Sequence, residues 1–278
     1  MDGSVTAFAD LHLHTVFSDG TYTPEELVER AVKKGLSAIA VVDHDTVAGI
    51  GPSVTAGVSC GLEVLPGIEL STEYEGREIH ILGYLIDYNS RPLLDKLDFL
   101  KRCRIERVYK ITDKLKEMGV DLKPEAVFDI AKGGVPGRLH IARAMVKQGI
   151  VRSSYGAFQE YIGDKCPAYV SGFKLSPSEG IQLIRAAKGI PVLAHPYSMN
   201  QDELIPQLVG YGLMGLEVYY PEHSQSMVNY YLELAQKNNL LVTGGSDCHG
   251  SAKPEIRIGL VKIPYELVEK LKQARERL

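Results

Sequence analysis

The 278-residue chain is expected to fold as an α/β protein, with β-α units at both ends and a helical stretch between them. Three observations predict this. Short apolar runs alternate with amphipathic segments over roughly the first ninety residues, and again from Pro177 onward. Between Leu93 and Tyr169 only the helical period is present. The residues with metal-binding or acid–base chemistry fall mostly at or just past the ends of the apolar runs, the edge where barrels and open α/β sheets build their sites. Repeated β-α units of this size fit a barrel or a doubly wound sheet.

The first strand is expected near Ala7–His14, followed by a loop at Phe17-Ser18-Asp19-Gly20. Thr23-Pro24-Glu25-Glu26 is a helix start, with Thr as N-cap, Pro at the first position and Glu closing a capping box. That helix is expected to run to Lys34, and Gly35 suits the residue after the cap. Ser37–Val42 is a continuous apolar strand of the kind buried in a parallel sheet, ending in Asp43-His44-Asp45. A helix near Ile50–Cys60 leads to a strand around Glu63–Pro66, then Gly67-Ile68-Glu69, and Arg77–Leu85 is another strand with His80 inside it. The central stretch predicts helices near Leu94–Met118, after Pro124, over Arg138–Lys147 and around Tyr155–Ile162. Then follow a helix (Pro177–Ala187), a strand (Ile190–Ala194), and after a further helix a strand at Gly215–Tyr219. The helix Gln225–Lys237, a strand Leu240–Thr243, a short strand Gly259–Ile263 and a charged C-terminal helix complete the chain. Residues 1–92 and 172–278 are therefore assigned to the α/β unit, and 93–171 to a helical insert.

Composition narrows the function. The chain is 45% apolar and 24% charged with a net charge of −4, so it lacks the basic excess of a protein that grips duplex nucleic acid. A small or short substrate is expected. No apolar run is long enough to cross a bilayer, and Met1-Asp2-Gly3-Ser4 does not begin a secretory signal. The four cysteines form no CxxC pair, which fits reduced thiols in a cytoplasm. The fifteen tyrosines show no regular interleaving with basic residues, so no single-strand stacking platform is predicted.

The chemistry lies in the histidines and carboxylates. On a strand, Asp10, His12 and His14 share one face. Two imidazoles projecting side by side from a rigid strand can chelate one divalent ion, and Asp10 is placed to fix an imidazole tautomer. His44 follows an apolar strand, and His195 ends another in Ala-His-Pro. Asp247-Cys248-His249 follows Gly-Gly-Ser, a loop with backbone freedom and two side chains that are hard to bury; alternation aims Cys248 the other way. Three residues keep a plainer alternative: Asp19 as a turn residue in Ser-Asp-Gly, Glu69 as a loop carboxylate, and His80 as a core histidine. Arg138 and His140 lie near a helix start, which favours phosphate, or else they form solvated surface. His223 follows a predicted strand and so points to the same rim; Lys165 is a lone basic group, usually solvent-facing. N and O donors suit Mn, Fe or Zn, and there are more of them than one ion can use, so two to three divalent ions are implied. Clustered divalent ions are a recurrent device for phosphoryl hydrolysis.

Together Asp10-Leu11-His12-Leu13-His14-Thr15, Phe17-Ser18-Asp19-Gly20, Asp43-His44-Asp45-Thr46, Gly67-Ile68-Glu69, His80, Ala194-His195-Pro196 and Ser246-Asp247-Cys248-His249 resemble the PHP (polymerase and histidinol phosphatase) family. The match runs in order through the α/β portions at both ends. The resemblance implies a distorted seven-stranded, TIM-like (β/α) barrel with a trinuclear site at the strand carboxyl ends. It implies that His12, His14, Glu69 and Asp247 hold one ion. Glu69, His80 and His195 would hold a second, and Asp19, His44 and His249 a third. The helical segment with Gly137-Arg138-x-His140 resembles the stand-alone phosphoesterases of this family, which act on nucleoside 3′,5′-bisphosphates and trim short RNA from the 5′ end. Two positions depart from that pattern: Leu139 stands where it has Pro, and Cys166 stands for the Lys of an Arg-Gly-Lys before Pro-Ala-Tyr, with Lys165 beside it.

The expectation is thus a cytoplasmic, metal-dependent phosphoesterase that removes the 3′-phosphate of nucleoside 3′,5′-bisphosphates and processes short 5′-phosphorylated oligonucleotides. A hydroxide shared by two ions would attack phosphorus in line. Arg138 would offset charge on the phosphate oxygens, and His195 or His223 would deliver a leaving-group proton. By the resemblance Arg138, His140 and His223 would grip phosphate, with Lys165 a weaker candidate. The competing readings are a histidinol-phosphate phosphatase, a metal-dependent C–N hydrolase, and a non-catalytic metal-stabilised binding module.

Overall fold

A computed structural model describes residues 7–132 and 134–278. The Met1–Ser4 start considered above lies outside the described residues. One eight-stranded sheet curls into a nearly closed barrel in the order β7-β6-β5-β4-β3-β2-β1-β8. The strands are β1 (Phe8–Leu13), β2 (Ala38–Val41), β3 (Glu63–Tyr74), β4 (Arg77–Tyr84), β5 (Ile190–Leu193), β6 (Gly215–Tyr219), β7 (Leu241–Gly244) and β8 (Ile263–Pro264). The last is shorter than the expected Gly259–Ile263. Gly259 instead has φ +71° and its N–H donates to Asp10, so the chain turns there before it can pair.

Pairing is parallel for β1–β2, β2–β3, β5–β6 and β6–β7. It is antiparallel for β3–β4, β4–β5 and β1–β8. β4 therefore runs against its neighbours, and its amino half lies at the rim where their carboxyl ends lie. β3 is also longer than predicted and runs on to the hairpin with β4, so Glu69 sits within a strand rather than in a loop. No ladder joins β7 to β1. Closure rests on one parallel bridge, Leu13 to Cys248, in which the His14 N–H donates to the Cys248 carbonyl at 3.1 Å.

Helices cover the sheet. α1 (Pro24–Lys33) starts with the expected capping box: Thr23 N–H donates to Glu26 at 2.9 Å, and Glu26 N–H to Thr23 at 3.3 Å. Its Leu27, Val28 and Ala31 pack with Leu13, Val41 and Cys248. α2 (Ile50–Cys60) lies between β2 and β3, and α7 (Pro177–Ala186) precedes β5. α8 (Pro196–Met199) and α9 (Ile205–Gly210) join β5 to β6, α10 (Gln225–Lys237) joins β6 to β7, and α11 (Glu266–Arg275) ends the chain.

Between β4 and α7 come α3 (Arg91–Glu117), α4 (Pro124–Ala131), α5 (Arg138–Lys147) and α6 (Ser154–Ala157). α6 runs into a π-helical turn, Phe158–Ile162, so the helix expected over Tyr155–Ile162 changes pitch midway. The Cys166 thiol bonds the carbonyls of Phe158 and Gln159 there. α3 straddles two cores. Leu93, Leu97 and Leu100 pack with α7 and β3, whereas Val108, Ile111 and Leu115 join Val127, Ile141 and Met145 in a separate cluster. Among the described residues no helix is long and apolar enough to cross a membrane.

Candidate active site

All nine expected ligands meet at the rim. β1 and its end carry His12 and His14, the following loop Asp19, the end of β2 His44, β3 Glu69, β4 His80, the end of β5 His195, and the loop after β7 Asp247 and His249. Three groups have ligand atoms within 4.8 Å of one another: His12, His14, Glu69 and Asp247; His14, Asp19, His44 and His249; and His44, Glu69 and His80. His195 Nε2 lies 3.2 Å from both Glu69 Oε1 and His80 Nδ1. Glu69 is the hub, with His12, His14, His44, His80 and His195 all within 3.4 Å of its oxygens.

The hydrogen bonds around this cluster show what it is built to hold. Four imidazoles each place one nitrogen on an outer partner. His12 Nδ1 is 2.8 Å from Glu217, His80 Nε2 is 2.9 Å from Glu78, His195 Nδ1 is 2.8 Å from Ser198 Oγ, and His249 Nδ1 is 2.8 Å from the Asp247 carbonyl. Each bond directs the other nitrogen at the inner carboxylates. His14 Nδ1, His44 Nδ1 and Asp19 Oδ1 are buried without a hydrogen-bond partner, although Asp19 Oδ1 lies 3.1 Å from His249 Nε2. Buried lone pairs and carboxylates facing one another at about 3 Å require positive charge between them. The donor set and its outer partners fit divalent ions of the Mn, Fe or Zn type.

Protons supply that charge in the protein alone. Burial opposes it, but Asp247 and Glu69 outweigh burial at His14 and raise it to about 9. Burial is likewise overcome at His80 by Glu69 and Glu78, which raise it to about 10. At His44 burial wins and lowers it to about 4, with the cationic neighbours His14 and His80 adding to the effect.

Asp10 does not have its expected role. It touches no imidazole; its carboxylate accepts from Ser246 N–H (2.8 Å), Ser246 Oγ (2.6 Å) and Gly259 N–H (2.8 Å), tying β1 to the loops after β7. The group that orients His12 is Glu217 on β6, which also accepts the His195 N–H at 2.8 Å. A glutamate inside the apolar run Gly215–Tyr219 is the signal that could have found it, since a buried charge needs a partner. Asp43 pins the loop after β1 through Thr15 and Ser18, and Asp45 pairs with Arg104. Asp45, His195 and Asp247 all have positive φ (51°, 25° and 54°), a cost met by the fixed loops around them.

Beside the nest is a cavity of about 190 Å³, bounded by Asp19, His44 and His80 on one side and by residues of α3 and α5 on the other. Its walls carry Arg104, Arg107, Arg138 and Lys174. Arg138, at the start of α5, bonds Asp164 (2.7 Å) and Glu78 (3.2 Å). Arg107 stacks by Tyr169, its Nε donates to the Val170 carbonyl, and its buried Nη2 has no partner. His140 lines the same wall, almost fully buried; burial lowers its pKa, and the neutral ring accepts the Gly137 N–H at 3.0 Å. Two of the expected substrate residues lie elsewhere. Lys165 is exposed and outside these walls. His223 packs between Tyr220 and Tyr231, donates from Nδ1 to the Val218 carbonyl (2.8 Å), and leaves Nε2 buried without a partner. On the open side of the nest, Tyr220 and Lys253 each lie 3.0 Å from Asp247 Oδ2. Lys174, Arg107 and Lys253 gave no sequence signal, because nothing local marks a lysine or arginine as inward-facing.

A barrel rim that gathers nine N and O donors next to a cation-lined cavity defines a metal-dependent phosphoesterase. Comparison with known proteins agrees. Residues 10–133 match the family profile described as PHP domain. A 5′-3′ exoribonuclease from Haemophilus influenzae is 34% identical over 86% of this chain and 89% of its own. A 3′,5′-nucleoside bisphosphate phosphatase from Chromobacterium violaceum is 29% identical over 86% of each chain. A crystal structure described as a metal-dependent phosphoesterase, from Bifidobacterium adolescentis, superposes with a TM-score of 0.89 at 32% identity, covering 96% of both chains. The chain belongs to the PHP family.

Proposed function

We propose that this phosphoesterase removes a phosphate from small substrates bearing a second phosphate, with nucleoside 3′,5′-bisphosphates and short 5′-phosphorylated oligonucleotides as the substrate class. The observation that carries this reading is the adjacency of two unlike chambers: a ligand nest for the scissile phosphate, and a cavity whose walls hold three arginines and a lysine. One phosphate would need only the first. The relatives named as an exoribonuclease and a bisphosphate phosphatase support the same class.

His12, His14, Glu69 and Asp247 would hold one ion, Glu69, His80 and His195 a second, and Asp19, His44 and His249 a third. Such ions lower the pKa of water enough to give a nucleophile at neutral pH, and they neutralise charge on phosphate oxygens. The chain's own residues do the rest. Arg138 and Arg107 would bind phosphate oxygens, Arg107 through its unpartnered Nη2 and Arg138 by exchanging its exposed Asp164 contact for the phosphate. His140 fixes the start of α5 and so the direction of Arg138. His195 is committed to the nest, and His223 packs between Tyr220 and Tyr231 with its Nδ1 proton on the Val218 carbonyl, so neither is placed to hand a proton to a leaving alkoxide. The helical insert forms the wall that reads the rest of the substrate. The unpaired state of all four cysteines supports a cytoplasmic setting.

The test is a panel of phosphomonoesters, nucleoside bisphosphates, short RNAs and amides, assayed with added Mn on the wild type and on Arg138→Ala. Expected is turnover of bisphosphates and RNA, with Arg138→Ala lowering kcat/KM about 100-fold on phosphate esters. Turnover of amides unaffected by Arg138→Ala would favour C–N hydrolysis. A wild type holding fewer than two ions and turning over nothing would sink the reading.

A further inference from the structure

Glu78 lines the cavity and also backs a histidine of the nest, so it touches both halves of the site. It lies on β4 two residues before His80, so alternation puts the two side chains on one face. One carboxylate oxygen, Oε1, lies 2.9 Å from His80 Nε2. The other, Oε2, is held by Arg138 Nη2 at 3.2 Å and by Lys174 Nζ in a shorter contact. Its side chain is one-third exposed, whereas Lys174 is 10% exposed and Arg138 18%. Arg138 has a second carboxylate in Asp164, and Lys174 has a distant one, Glu73 at 3.7 Å. Among the described residues Glu78 is thus the one carboxylate that these two cations share.

We propose that Glu78 is a positioning residue that couples the metal nest to the phosphate cavity. Its Oε1 accepts from His80 Nε2, which fixes the ring so that Nδ1 faces Glu69 and His195. Its Oε2 holds the Arg138 and Lys174 cations side by side at the cavity wall, ready for a phosphate. This rests on the reading of the nest as a metal site and of the cavity as a phosphate site. It adds that neither is independent of the other: a single carboxylate sets the orientation of a ligand on one side and of two anion-binding groups on the other. An outer partner of a ligating histidine typically changes metal affinity by about 10–100-fold. The same carboxylate preorganises the cations, so its loss also weakens anion binding.

The test uses the full-length protein, stripped of metal, as wild type, Glu78→Gln, Glu78→Asp and Lys174→Ala. Mn binding is read by calorimetric titration. Anion binding is read as inhibition by inorganic phosphate of the Mn-loaded enzyme acting on adenosine 3′,5′-bisphosphate. Glu78→Gln should weaken the loosest Mn step by about 10–100-fold and also raise the phosphate inhibition constant. Lys174→Ala should raise the phosphate constant and leave Mn affinity at the wild-type value, which a general loss of packing would not do. Glu78→Asp keeps the charge but is too short to reach His80 and Lys174 at once, so it should lose at least one of the two effects' wild-type values. It also serves if Glu78→Gln does not fold. Wild-type Mn affinity in both Glu78 variants would overturn the coupling, as would a Lys174→Ala that weakens Mn as much as Glu78→Gln. The Mn arm reads the proposal even if the bisphosphate is not turned over, so failure of the substrate assignment and failure of the coupling are separable.

Discussion

His12 shows how much one side chain depends on another far away in sequence. Its ring is fully buried, and Glu217, equally buried, accepts a hydrogen bond from its Nδ1. Burial disfavours its cation, yet Glu217, Glu69 and Asp247 hold its pKa well above the usual histidine value. Replacing Glu217 by Gln keeps the shape and removes the charge, so metal affinity should fall about 10–100-fold. A Mn titration checks this, and an unchanged affinity would mean that Glu217 only fills space. The raised imidazoles also fix a pH dependence. For His14, at about 9, and His80, at about 10, the folded values lie above the ordinary 6.5. Their contribution to the stability of the metal-free protein is therefore fully present below about pH 6.5 and is lost as pH rises through 9 to 10. Metal needs these nitrogens deprotonated, so its affinity should rise over the same window, and loading at pH 7 should release protons. Calorimetry in two buffers of different ionisation enthalpy measures that release; equal heats in both would contradict it.

Strand direction explains what periodicity left ambiguous. Taken alone, His80 kept a core-histidine alternative beside its ligand assignment because it lies inside an apolar run, and in a parallel strand that position would fall below the rim. β4 is antiparallel to β3 and β5, so its early residues are at the rim. The same sheet has a weak seam. Among the described residues no ladder joins β1 to β7, and Gly245, just past β7, sits where a Cβ would overlap the backbone nitrogen of His12. Backbone cannot move aside as a flexible side chain can. Gly245→Ala should therefore destabilise the protein by about 2–3 kcal/mol and displace His12. Thermal or denaturant unfolding would show the loss, together with weaker metal binding. A variant as stable as the parent would mean that the seam yields freely.

The molecule as a whole closes a barrel around a nest of buried carboxylates whose charge is offset by protonated imidazoles or by bound ions. Ions bound only by the folded state stabilise it by mass action, by about 2.7 kcal/mol at a hundredfold excess over Kd. Chelation should thus lower the midpoint of thermal unfolding by about 5–8 °C. Differential scanning calorimetry with and without EDTA tests it, and coincident transitions would argue against a metal nest. Much of this architecture could be read in advance. The capping box at Thr23, the strand Gly215–Tyr219, the helix Arg138–Lys147 and the alternation of β-α units are local patterns, set by side-chain period and hydrogen-bonding chemistry. The split of α3 between two cores could not be read, since a long amphipathic helix does not say which neighbour covers each end.

By itself the sequence determined which donors exist and that strand ends would carry most of them, because alternation and capping act over a few residues. Only the tertiary structure decided that His80 faces the nest, that Glu217 rather than Asp10 orients His12, and that Arg107 and Lys174 wall the cavity. Those outcomes depend on strand direction and on contacts between residues far apart along the chain, which no short-range pattern encodes.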